Sequence, residues 1–485
     1  MITKHILNGS IVLLSIVAAL SVAAEEPEPK SSSHRPAIRQ GKKAEKPTYY
    51  REARSYGTKR DTDPPRYVRR LSDTGIEGLE QYDWLDVGLD FRFRYEYRDD
   101  DARRPRPGLD ELQLLRTRAF IKVREKLDPF RFALEYEDAR RYGSNYPRDD
   151  RDVNEFEFIQ AYAELYFRDA LGFDPLGNER PLSIRAGRMA FEFLDRRLIA
   201  NNQWRNTTNN FQGFRLTLGQ EANDWQLDLL AVQPLERLKY EIDEPKDGQW
   251  FYAAIGHWRA WSDVITLEPY FLSLQQDSRS GVPGRSVHSL ALRGYGLFGG
   301  TGFDYDFDAV YQFGRNGPEQ HRAFGFTGEI GYTFNHAWKP RLSAFYGYAS
   351  GDRDPADRKD QRFERYFGFG RPWSANDYID WSNISTPKAR LEVQPSKNLR
   401  VDAGYSFYWL ASDKDRWSNA NLRDKKGNSG NFIGHEFDIR ARYALSSKIE
   451  TTVGYAHFTP GNFTRNTGKR DNTDFLYLEI SVSAF

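Results

Sequence analysis

From Asp86 onward the chain alternates residue by residue between two chemical classes. Val87, Leu89, Phe91, Phe93, Tyr95 and Tyr97 fall on one parity, and Asp90, Arg92, Arg94, Glu96 and Arg98 on the other. Successive side chains of a strand point to opposite faces, so a period of two describes a strand with one apolar and one charged face. The pattern recurs with Leu115, Thr117, Ala119, Ile121 and Val123 against Arg116, Arg118, Phe120, Lys122 and Arg124. It returns in Phe130, Phe132, Leu134 and Tyr136 against Arg131, Glu135 and Glu137, and in Phe303 to Phe313 against Asp304, Asp306, Asp308 and Gln312. Near the end, Ile439, Ala441, Tyr443 and Leu445 alternate with Asp438, Arg440 and Arg442.

Two-faced strands also build soluble sandwiches, whose polar faces meet water. Three features favour a transmembrane barrel instead. Short turns such as Asp128-Pro129, Gln394-Pro395-Ser396 and Ser446-Ser447 alternate with long polar loops such as Ser350 to Arg362 and Asp413 to Asn431. The apolar faces are rich in Tyr and Phe, as an interfacial girdle requires, and a secretion signal precedes them. Only 39% of residues are hydrophobic and 29% are charged, a balance that alone suggests disorder, but the 15% aromatic content argues for regular segregation. After Ala24 no apolar run approaches the ~18 residues of a spanning helix. A membrane crossing by this chain therefore requires a closed barrel, because lipid satisfies no backbone hydrogen bonds.

The organisation is tripartite. Residues 1–24 read as a signal peptide: Lys4 and His5, an apolar run from Ile11 to Leu20, then Ser21-Val22-Ala23-Ala24, with cleavage expected after Ala24. Residues 25–80 carry scattered prolines and the basic clusters Arg39 to Lys46 and Arg66 to Arg70, the texture of a flexible basic periplasmic tail. Residues 81–485 form the barrel. At roughly 22 residues per strand and connection this length gives about 18 antiparallel up-and-down strands, with 16 the next even number. The last strand sets Leu476, Leu478, Ile480, Val482 and Ala484 on the apolar parity and ends on Phe485, which falls on the other one.

Seventy basic residues oppose 69 acidic ones, so no global charge points to nucleic acid. The absence of cysteine excludes disulfides and thiolate chemistry. No Ser/His nucleophile motif, metal-spaced histidine pair or cofactor loop stands out, so neither enzyme activity, metal nor cofactor is expected. His435-Glu436 lies in an alternating segment and reads as structural. The residues expected to line a pore are the inward-parity arginines Arg92, Arg94, Arg116, Arg118, Arg185, Arg215, Arg390, Arg440 and Arg442, with Asp304, Asp306 and Asp308 on one strand face. Converging arginines make an anion path. The alternative is that each is neutralised by a lumen carboxylate and stabilises the wall.

Several segments resemble the alginate-export, or AlgE-like, family of outer-membrane barrels. They are Arg185-Ala186-Gly187-Arg188-Met189, Asn202 to Thr207, Phe211 to Leu216, Tyr348 to Asp352, Trp381 to Ile384, Phe407 to Ala411, Gly434 to Asp438, and Gly454 to Phe458 leading into Pro460-Gly461. Met189 stands where the family pattern has Gln. The resemblance implies an 18-stranded barrel with an Arg-rich lumen that passes an acidic, alginate-like exopolysaccharide outward through the outer membrane. Its partners are then membrane lipid, the polysaccharide, and as a candidate a periplasmic export scaffold. The main alternative is a general or small-solute porin for uptake of anions or oligosaccharides; a barrel-embedded hydrolase is a third.

Overall fold

In the computed structural model, which describes Tyr49 and residues 60–104, 108–279 and 281–485, the alternating segments form one closed wall of 18 antiparallel strands. The first six are β1 (Leu85–Asp99), β2 (Asp110–Val123), β3 (Phe130–Gly143), β4 (Asn154–Phe167), β5 (Leu182–Met189) and β6 (Phe211–Gly219). Next come β7 (Trp225–Glu236), β8 (Gln249–Trp258), β9 (Thr266–Gln276), β10 (Arg285–Leu297), β11 (Phe303–Asn316) and β12 (Glu319–Thr333). The circuit ends with β13 (Arg341–Ala349), β14 (Ile384–Val393), β15 (Leu399–Trp409), β16 (Phe432–Ala444), β17 (Ile449–Pro460) and β18 (Thr473–Ser483). Closure is made by β1, which pairs with β2 on one edge and with β18 on the other, Asp90 opposite Ser483 and Asp99 opposite Asp474. No strand edge is left for lipid to meet unsatisfied.

Parity sorts the side chains as the sequence predicts. On β1 and β2, Arg92, Arg94, Arg116 and Arg118 are buried inside, while Leu89 and Ile121 are exposed outside. The outer surface carries a middle band of Leu134, Leu290, Ile330, Leu342, Leu391 and Val453, with aromatic residues towards either end, such as Trp258, Trp261 and Trp338 or Tyr311, Phe324 and Phe407. This is the profile of a wall facing hydrocarbon between two headgroup layers. No helix among the described residues is long and apolar enough to span.

Connections at the end where β1 begins are short turns, such as 394–398 and 445–448, apart from the longer β4–β5 connection (168–181). Those at the other end are long, notably the β5–β6 loop (190–210), the β13–β14 loop (350–383) and the β15–β16 loop (410–431); the tight Gly317-Pro318 turn is an exception. In outer-membrane barrels short turns face the periplasm and long loops the exterior. Gly187 and Gly213 lie opposite one another on β5 and β6 with φ of 132° and 151°, and a Cβ at either would sit 2.3 Å from a neighbouring carbonyl oxygen. Only glycine allows that bend in the wall.

The boundary of the N-terminal tail differs from the expectation. Sequence texture places everything up to Glu80 in a flexible tail, yet Val68–Arg70 forms a strand on β1, and Tyr67 is buried with its hydroxyl donating to Glu135 at 2.5 Å. The edge of β1 below Asp90 has no β18 partner, and this segment supplies one. The signal peptide, the Arg39 to Lys46 cluster and Pro105 to Pro107 lie outside the described residues. The wall itself yields a test. Leu290 is 63% exposed at the middle of β10, so Leu290→Arg should destabilise the folded barrel in lipid by ~2–4 kcal/mol. Urea titration in bilayers measures this, and Leu290→Ala should change far less.

Candidate functional site

The inner wall places like charges side by side. Arg92 on β1 is the direct cross-strand partner of Arg116 on β2, and Arg185 on β5 is that of Arg215 on β6. Facing like charges destabilise a sheet, more so in a low-dielectric interior, so each pair requires compensation from elsewhere. For the first pair it comes from the β5–β6 loop, which folds back into the lumen. Arg92 donates to the Gln203 and Arg205 carbonyls, both at 2.7 Å, and Arg94 to the Trp204 carbonyl at 2.6 Å. Arg118 donates to Gln203 Oε1 at 3.0 Å and to Thr208 at 2.6 Å. Carboxylates complete the set: Glu479 lies 3.8 Å from Arg92 and 3.2 Å from Arg94, Glu96 2.8 Å from Arg94, and Glu137 2.8 Å from Arg118. Arg116 differs, with Nε and Nη1 buried and without a hydrogen-bond partner among the described residues.

The other predicted arginines are also paired. Arg185 meets Glu164 at 2.9 Å and Arg215 meets Asp228 at 2.8 Å. Arg390 lies between Asp402 and Asp438, and Asp402 also receives Arg440 and Arg442. The three aspartates of β11 face inward as expected. Asp304 binds Arg341 and Asp306 binds Arg293, each at 2.6 Å, while Asp308 accepts from the Tyr270 hydroxyl at 2.8 Å. Strand order sets β11 roughly halfway round the circuit from β1 and β2. The arginines of β1 and β2 and the aspartates of β11 thus lie on opposite parts of the wall, both sets largely engaged in ion pairs.

Two cavities lie along the lumen, on either side of the β5–β6 loop tip. The one towards the short turns has a volume of ≈ 1040 Å³ and is lined by Arg118, Glu164, Arg185, Gln203 and Arg215 among others. The one towards the long loops holds ≈ 110 Å³ and is lined by Arg94, Arg98, Arg103, Arg151, Trp204 and Arg205 with their acidic partners. Trp204 lines the smaller cavity, its ring contacted by the Arg94 guanidinium at 3.9 Å and that of Arg371 at 3.7 Å, with Tyr477 edge-on at 4.9 Å. These cation–π contacts hold the indole against the wall.

Behind this polar tip the lumen is filled by apolar packing that alternation could not foretell. Phe191, Phe193, Leu198 and Ile199 of the β5–β6 loop join Phe363, Trp373 and Trp381 of the β13–β14 loop in one buried cluster. Phe211 and Phe367 pack edge to face at 5.0 Å. Glu436 accepts from Ser374 and from the Ala375 amide, and Lys388 donates to the Pro372 and Trp373 carbonyls, tying the β13–β14 loop to the wall. His435, by contrast, points outward and bonds Tyr405 at 2.8 Å.

A wall of this strand number, lined with charge and closed by infolded loops, defines an outer-membrane pore protein. The sequence profile of the alginate export family matches residues 83–477, and the chain belongs to that family. No curated protein matches it significantly. Among solved structures it resembles OccAB1 of Acinetobacter baumannii (12% identity, 83% of this chain, 97% of that chain, TM-score 0.58). OpdQ of Pseudomonas aeruginosa (13%, 82%, 98%, 0.57) and the outer membrane protein OprD of the same organism (14%, 82%, 93%, 0.53) are further examples. At such identities the likeness is one of fold.

Two predictions follow from the loops. Trp204→Ala removes the ring that anchors the loop tip between Arg94 and Arg371, so single-channel conductance in planar bilayers should rise, whereas Trp204→Phe should stay near the parent value. The second concerns Asp243 in the β7–β8 loop, buried with Asn154, Glu157, Arg188 and Arg237 around it. Burial, then the Glu157 charge, push its carboxyl up to about 7. The docked loop therefore keeps a proton that an undocked loop releases, and docking weakens as pH rises through about 7. A nitroxide on Tyr240→Cys should gain mobility between pH ~5 and ~8, and Asp243→Asn should flatten that profile.

Proposed function

We propose that the pore carries an acidic, polyuronate-like polysaccharide outward by passive export. The observation that carries this reading is that Arg92 and Arg94, with Arg116 beside them on the next strand, are held beneath main-chain carbonyls of a loop as well as by carboxylates. Carbonyl oxygens are exchangeable ligands. A sugar carboxylate takes bidentate hydrogen bonds from guanidinium more strongly than a neutral oxygen does. As the polymer threads the lumen, its carboxylates replace the Gln203, Trp204 and Arg205 carbonyls, and the loop tip moves aside. Glu96, Glu137 and Glu479 keep the wall from binding the chain too tightly to release it, because conduction needs sites that are occupied and left.

Export also needs secretion of the protein itself, which the leader ending at Ala24 serves, and a periplasmic scaffold handing the polymer to the short-turn end. A second reading, uptake of a small anionic solute, draws on the ≈ 1040 Å³ cavity, which has room for a mono- or disaccharide without displacing the aromatic cluster. Planar-bilayer recording separates the readings. Under export the current is anion-selective and oligogalacturonates block it with affinity that grows with chain length; under uptake monomer and trimer block alike. Replacing Arg92, Arg94, Arg116 and Arg118 together with Gln should shift the reversal potential towards neutrality and weaken trimer block by about tenfold or more. An unchanged reversal potential would refute their role.

A further inference from the structure

The second arginine pair is compensated differently from the first, by a residue outside the barrel wall. Arg185 and Arg215 are direct cross-strand partners near the short-turn end, and Lys122 joins them across β4 through Glu164 at 3.0 Å. Three cations here meet two wall carboxylates, Glu164 and Asp228, which leaves one positive charge over. Asp63, from the segment that precedes β1, supplies the third carboxylate. Its Oδ2 lies 2.6 Å from Arg185 Nη1 and 3.6 Å from Arg215 Nη1. Desolvation alone would raise this carboxyl, but Arg185, Lys122 and Arg215 outweigh it and hold it below the usual range.

The construction around Asp63 is that of a tethered ligand. Val68–Arg70 and Tyr67 anchor the segment to β1 and Glu135, while Asp63 reaches into the wall of the 1040 Å³ cavity and remains 44% exposed to it. Tyr162, itself buried, packs its ring 4.8 Å from the Arg185 guanidinium and helps hold that side chain in place. The segment also touches the gate. The Asp61 amide donates to Glu192 at 2.8 Å, and Gln203 Nε2 donates to Asp61 Oδ2 at 2.8 Å. That same Gln203 accepts from Arg118 with its side chain and from Arg92 with its carbonyl.

We propose that Lys122, Arg185 and Arg215 form a carboxylate-binding site at the periplasmic mouth, that Asp63 is its internal ligand, and that an acidic sugar entering from the periplasm displaces Asp63. The inference rests on the export reading for the identity of the ligand. Displacement withdraws Asp61 from Gln203, so occupancy of the mouth loosens the loop tip that covers Arg92 and Arg118. The segment is thus a carboxylate-keyed strap. It keeps the lumen closed when no acidic polymer is present, and it lowers apparent affinity for that polymer by the fraction of time Asp63 holds the site.

The test uses the full-length protein and two independent readouts. In planar bilayers, Asp63→Asn should lower the concentration of trigalacturonate needed for half-block from the short-turn side by about tenfold, Asp63→Glu should behave as the parent, and Arg185→Ala with Arg215→Ala should abolish the gain. Because the chain has no cysteine, a nitroxide on Thr62→Cys reports the strap alone: immobilised at rest, released by galacturonate, indifferent to galactose. A label already mobile without ligand, or one that galacturonate leaves immobilised, overturns the proposal. So does an unchanged block in Asp63→Asn when the parent pore is blocked by trigalacturonate, an outcome that leaves the export reading standing. A pore that no uronate blocks defeats the export reading, while release of the Thr62 label by galacturonate would still support the carboxylate site.

Discussion

Repulsion between arginines on neighbouring strands is the constraint to which the rest of the lumen answers. A barrel wall cannot move these residues apart, because register fixes Arg92 opposite Arg116 and Arg185 opposite Arg215. It can only bring oxygen to them. The β5–β6 loop is folded inward so that its carbonyls face Arg92 and Arg94, Glu479 is placed on the closing strand beside both, and Asp63 is delivered from before β1 to the other pair. Each device leaves the guanidinium satisfied while closed. Each is also of a kind that a mobile anion can replace, which a purely structural ion pair between two wall residues is not.

The magnitudes separate what moves from what stays. Burying an aromatic side chain contributes ~1.5–3 kcal/mol or more, and Phe363, Trp373, Tyr378 and Trp381 are all nearly fully buried. Lifting the β13–β14 loop out of the lumen therefore costs on the order of 10 kcal/mol with nothing polar to repay it. The β5–β6 loop tip is held by hydrogen bonds to charged groups, each worth ~1.5–3 kcal/mol, and an incoming carboxylate restores those bonds as it breaks them. The exchange is nearly balanced. Opening is thus confined to residues 203–205 and the strap that touches them; Asn206, whose amide donates to the Leu115, Arg140 and Asp152 carbonyls, and the aromatic cluster are the fixed frame against which they move.

Much of the wall was legible from the sequence because a strand's period of two is set by covalent geometry and each face meets a different solvent. Parity alone placed Arg92, Arg118, Arg390 and Asp306 inside and Leu134 and Phe313 outside. The loops were not legible in that way. Phe191, Phe193, Leu198 and Ile199 have no periodicity, and their apolar character, unusual in a connection that faces water, was the signal available. Nor does local pattern reveal that Trp204 lies between Arg94 and Arg371, residues distant in sequence that the closed wall brings together. The strap was hidden by composition. Arg60 to Arg70 reads as a charged, Pro-rich linker, and its order comes from a gap in β1 pairing and an unbalanced cation pair on β5 and β6, neither of which lies near it in the chain.

That hidden dependence says something about how the charges are distributed. If the inward arginines served only to stabilise the wall, each would be matched by a carboxylate on an adjacent strand, as Asp306 serves Arg293 and Glu137 serves Arg118. Burying unmatched charge is destabilising, so a wall under selection for stability alone would trade Arg116 for an apolar residue. Instead Arg116 keeps two buried nitrogens without a hydrogen-bond partner among the described residues, and the Arg185–Arg215 pair takes a carboxylate, Asp63, from outside the wall. Both lie along the inner wall of the passage, where a polyanion would meet them.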